Sequence, residues 1–88
     1  MRIKDGFLAR QIVGEWIVIP VGERVADFNG IITLNETAVF LWELLQENTD
    51  QTTLLKSLTE EFEVTSVQAQ ADLAEFLDSL RTNGLLEE

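Results

Sequence analysis

Ile32-Thr33-Leu34-Asn35-Glu36-Thr37-Ala38-Val39-Phe40-Leu41-Trp42-Glu43-Leu44-Leu45 is the stretch where this chain passes from strand to helix. Ile31 to Leu34 reads as a short strand, rich in β-branched residues. Asn35 is a good helix N-cap, because its side chain can accept from a free amide of the first turn. Glu36 follows, where the positive end of the helix dipole favours an anion. Val39, Phe40, Leu41, Trp42, Leu44 and Leu45 then cover most of the helix circumference. A helix apolar nearly all round is predicted to be the central, most buried one.

Towards the N-terminus the chain reads as β. Phe7 to Ile12 is a short apolar-rich run, Val13-Gly14 can turn it, and Glu15-Trp16-Ile17-Val18-Ile19-Pro20 follows as a second strand. Pro20 has no ladder donor and suits a strand end. Val21 to Arg24 is a loop. Asn29-Gly30 is the strongest two-residue hairpin signal available. It leads into the third strand and leaves room for a short extended partner at 25–28.

Towards the C-terminus the chain reads as helix. Glu47-Asn48-Thr49-Asp50 breaks the first helix. Asp50 caps a second, with Leu54, Leu55, Leu58 and Phe62 on one face. Thr65-Ser66-Val67-Gln68 fits a capping box, in which hydroxyl and amide each serve the other's free backbone donor. The third helix runs to about Asn83, Gly84 is a natural C′ residue, and Leu85-Leu86 folds back as an apolar anchor. Three strands precede three helices, an α+β order in a single domain spanning 1–88.

Composition narrows the function. The chain has 88 residues, 45% hydrophobic, with no cysteine and no histidine. Disulfides, thiol nucleophiles, zinc fingers and every His-based acid–base scheme are thereby excluded. Serines have no base partner, the glycines are isolated, and the paired carboxylates read as solvated helix surface. No catalysis is expected, and no cofactor or metal. No apolar run is long enough to span a membrane and no secretory signal begins the chain, so a cytoplasmic protein is expected.

The formal charge of −10 is unevenly placed. Residues 1–35 carry four basic and four acidic residues, whereas residues 36–88 carry Lys56 and Arg81 against twelve acids. Nucleic acid and anionic membrane are repelled by such a second half. The segment Ile31–Leu34 lies in the neutral part and has no Lys, Pro or charge to blunt an edge. It reads either as an ordinary covered strand or as an edge open to a partner strand. In the third helix Ala69, Leu73, Phe76, Leu77 and Leu80 form the core stripe. Val67, Ala71 and Ala74 lie on another line, beside Gln70, Asp78 and Arg81. That line is either a partly exposed face of good helix formers or the shallow wall of a groove.

Taken in order, several segments resemble the PqqD-like family, the small RiPP recognition elements or peptide-chaperone domains. They are Phe7-Leu8-Ala9-Arg10, Trp16-Ile17-Val18-Ile19-Pro20, Leu34-Asn35-Glu36-Thr37 with Trp42-Glu43-Leu44-Leu45, and Asp72-Leu73 through Phe76-Leu77 to Leu80 and Gly84-Leu85-Leu86. Ala38 stands where the family commonly has Gly. The resemblance implies a winged helix-turn-helix with a three-stranded antiparallel sheet and no enzymatic activity. It implies binding of the leader segment of a ribosomally made precursor peptide and delivery to a maturation enzyme such as a radical SAM protein. The leader is expected to add as a strand to the third strand and rest on the third helix. The peptide-binding residues would then be Phe28, Gly30, Ile31, Ile32, Thr33 and Leu34 with Val67, Gln70, Ala71, Ala74 and Asp78. Acidic flanks at Glu75 and Asp78 favour a leader with basic residues.

Three other readings are weaker. A DNA-binding winged helix would place Asp72, Glu75 and Asp78 against the phosphates with Arg81 alone to offset them. A homodimer could pair through the same strand edge. Asp78-Ser79-Leu80 resembles the modified motif of acyl carrier proteins, but Ser79 falls late in its helix, between core residues, where an ordinary surface serine is expected.

Overall fold

The computed structural model describes residues 1–23, 25 and 32–88. Its elements are β1 (Arg2–Ile3), β2 (Phe7–Ile12), β3 (Glu15–Pro20), β4 (Ile32–Leu34), α1 (Glu36–Leu44), α2 (Gln51–Glu61), α3 (Ser66–Thr82) and β5 (Leu86–Glu87). The main sheet is antiparallel in the order β2-β3-β4, pairing Ala9 with Val18 and Ile17 with Thr33. With the three helices this is the α+β winged helix-turn-helix architecture expected from the sequence. Phe28, Gly30 and Ile31 lie outside the described residues, as does the Asn29-Gly30 turn. Val25, expected in an extended segment, is instead helical, and its amide donates to the Gly22 carbonyl at 3.3 Å.

The helix boundaries follow local chemistry. Asn35, Asp50 and Thr65 cap α1, α2 and α3, accepting from the amides of Ala38 (2.8 Å), Thr53 (2.7 Å) and Gln68 (3.1 Å). The capping box at Thr65 is only half made. The Gln68 side chain does not turn back to accept from the Thr65 amide; its Nε2 donates instead to the Asp72 carboxylate at 2.8 Å, one turn on, in a charge-assisted bond. At the other end of α3, Leu85 N donates to the Leu80 carbonyl (2.9 Å) and Gly84 N to that of Arg81 (3.1 Å). That pair of bonds is a Schellman motif, and Gly84 supplies its left-handed residue at φ +74°. Leu80 and Leu85, fully buried, make the apolar contact that accompanies it.

One core joins sheet and helices. Phe7, Val18, Ile32 and Leu34 face it from the sheet, Leu41, Trp42 and Leu45 from α1, Leu54 and Leu58 from α2, and Ala69, Leu73, Leu77 and Leu80 from α3. As α1's circumference predicted, Val39, Phe40 and Leu44 are also partly covered. The Phe40 ring meets Phe62 edge-on, centroids 5.4 Å apart. The sequence reading did not foresee the second, two-stranded sheet. β1 pairs with β5, Ile3 opposite Leu86. Ile3 N also donates to Leu45 O, Lys4 N to Leu85 O, and the Met1 ammonium to Thr49 O and Asn48 Oδ1. The first residues thus tie the α1–α2 turn to the chain after α3. No helix among the described residues is long and apolar enough to cross a membrane.

Candidate functional site

β4 is an edge strand, with β3 on one side and no other strand beside it among the described residues. It is three residues long, with Ile32 and Leu34 turned to the core and Thr33 exposed. A short uncharged edge is the kind that can offer backbone donors and acceptors to an added strand. Beside it the packing opens. α3 packs chiefly on α2, and between β4 and α3 lies a groove of about 170 Å³. β4 and Asn35 form one wall, Ala38 and Leu41 lie at the floor, and Asp72, Glu75, Phe76 and Ser79 of α3 form the other wall.

Each part of the groove follows from the sequence around it. Asn35 caps α1 directly after β4, so the strand edge and the first turn of α1 are fixed together. Ala38, in that turn, is 8% exposed, and its methyl group leaves the floor open. Leu41 lies one turn further along. On α3, Asp72, Phe76 and Ser79 are half-buried and Glu75 is exposed, the gradient expected for a helix flank that borders a cleft. The wall is apolar at its centre, with two carboxylates on the rim. Asp72 is steadied by the bond from Gln68.

The structure brings Ile32, Thr33 and Leu34 into the groove and leaves the expected helix residues out of it. Val67 is 78% exposed. Gln70 and Ala74 instead line a shallow hollow with Thr52 and Leu55 of α2. Ala71 and Asp78 are exposed on the same side of α3. At 3.6 residues per turn the Val67/Ala71/Ala74/Asp78 line lies roughly 100–120° round the helix from Asp72/Glu75/Ser79. Of the groove-facing α3 residues, the sequence places only Glu75 beside a peptide, as an acidic flank. Phe76, expected in the core stripe, is only half-buried and lines the groove, and Asp72 and Ser79 border that stripe; the adjacency was the available signal. Arg81, the only cation on α3, is engaged by Glu88 at 3.0 Å, which raises its pKa and lowers that of Glu88.

The family model described as Coenzyme PQQ synthesis protein D (PqqD) matches residues 15–86, from the start of β3 into β5. The chain belongs to the PqqD family. Among solved structures, this PqqD-family chain is similar to TbiB1, determined in complex with the TbiA(beta) leader peptide. The two share 23% identity over 99% of this chain and 95% of that one, with a TM-score of 0.75, a likeness of fold. No curated protein matches the chain.

Proposed function

We propose that this PqqD-family domain is a non-catalytic module that binds the leader segment of a ribosomally synthesised precursor peptide and delivers it to a maturation enzyme, of which a radical SAM protein is one kind. The observation that carries the reading is the uncharged edge of β4 beside an open, apolar-floored groove. An extended peptide added at such an edge gains main-chain hydrogen bonds, and its alternate side chains enter the groove. Family membership supports the reading, as does a neighbour of the same fold whose structure holds a leader peptide.

The test is calorimetric titration of the full chain with the leader of a precursor peptide encoded beside its gene. Saturable binding is expected. Glu75→Trp, at an exposed position on the groove wall, should fill the groove and weaken binding at least tenfold. Val67→Trp, two turns away on the flank of α3 that does not line the groove, should leave it unchanged, with circular dichroism confirming that both variants fold. Absence of binding by the wild-type chain, or loss in Val67→Trp with retention in Glu75→Trp, would overturn the proposed site.

A further inference from the structure

The groove carries a charge pattern that specifies its occupant more closely. Asp72 and Glu75 stand one helical turn apart on the same rim, and no cation lines the groove among the described residues. Arg81 is held by Glu88, so it does not neutralise this rim. Between the carboxylates and the strand the lining is apolar, with Ala38 and Leu41 at the floor and Phe76 on the α3 wall.

We infer that the groove selects an extended peptide in which a bulky apolar residue and a lysine or arginine are two positions apart. This rests on the leader-binding reading above. In a strand added to β4, residues i and i+2 point to the same face, roughly 6–7 Å apart. One such side chain enters the groove against Ala38 and Phe76. The next on that face reaches the rim, where a long basic side chain lays its methylenes over Phe76 and carries its charge to Asp72 and Glu75. An acidic residue there would meet two carboxylates on a molecule already at −10. The charges thus set specificity and encounter rate, while the backbone bonds and the apolar anchor hold the peptide.

The experiment is selection of a phage-displayed random peptide library on the immobilised full chain. Enriched sequences should carry Lys or Arg two residues from Leu, Ile, Val or Phe. A synthetic peptide of the enriched sequence should bind the Asp72→Asn/Glu75→Gln variant about three- to tenfold more weakly than wild type, and added salt should weaken the wild-type complex more than the variant complex. Four results would overturn the inference. Neutral or acidic peptides that shift the amide signals of the β4–α3 groove would refute the charge rule and leave the leader-binding reading standing. A basic peptide bound equally by wild type and double variant would do the same. Failure to enrich any peptide, or amide shifts confined to other surfaces, would remove both.

Discussion

Val13 holds the most demanding backbone position among the described residues. It and Gly14 form the two-residue β2–β3 turn with φ of +49° and +79°, the positive pair of a type I′ turn. Glycine takes such angles freely, whereas a β-branched side chain is strained by them. Val13 is 97% exposed, so no burial offsets the strain. Val13→Asn should therefore stabilise the domain by about 1 kcal/mol, seen as a higher urea midpoint with unchanged slope. A lower midpoint would show that the turn is not strained as described. Single residues were also where the sequence was most legible. Asn35, Asp50 and Thr65 act through bonds to amides three residues on, and Gly84 through its own φ, so neighbours in sequence settle each role. Gln68 was misread because two local partners competed for one side chain, and the acidic residue won.

At the scale of the element, α3 shows what periodicity reveals and what it leaves open. The stripe Ala69, Leu73, Leu77, Leu80 was readable from spacing and is buried. A stripe has two flanks. The flank that meets β4 is set by how the helix lies on α2 and where the chain threads the strand, both long-range properties. Small apolar residues drew attention to the Val67/Ala71/Ala74 line, yet the packing turns Asp72, Glu75 and Ser79 to the groove. α2 offers a test of local electrostatics. The Thr53 amide, donating to the Asp50 carboxylate, holds its pKa below the usual carboxylate range. A carboxyl depressed in the folded state contributes stability above its unfolded pKa and loses it as pH falls through the folded one. The stabilising contribution of the cap charge is therefore complete at neutral pH and lost below about pH 4. Asp50→Asn keeps a capping oxygen without the charge, so its deficit relative to wild type should shrink between pH 7 and pH 3 in urea denaturation. Equal displacement at both pH values would contradict the assigned role.

Across the whole molecule, charge and architecture divide the labour. The acidic helices surround the core, and the neutral strands provide the edge. A net charge of −10 on 88 residues repels itself in the compact state, so moderate salt should raise the melting temperature. A melting temperature that falls or stays level would show that local pairs such as Arg2–Asp5 and Arg81–Glu88 outweigh the repulsion. Salt should act oppositely on the proposed complex, in which the peptide's charge opposes the protein's. The strand-then-helix order and the family were legible because the segments occur in sequence along nearly the whole chain. The β1–β5 sheet was not. Two-residue strands have no periodicity to read, and their pairing joins residues at opposite ends of the chain. The central claim is that an extended peptide adds to the outer edge of β4 and lies against α3. Backbone amide mapping by NMR, with a bound leader peptide, tests it most directly. Residues 32–34 should shift and gain protection from hydrogen exchange, with further shifts at 72, 75, 76 and 79. Unchanged β4 amides in a saturated complex, with shifts at 67, 70, 71 and 74 instead, would contradict it.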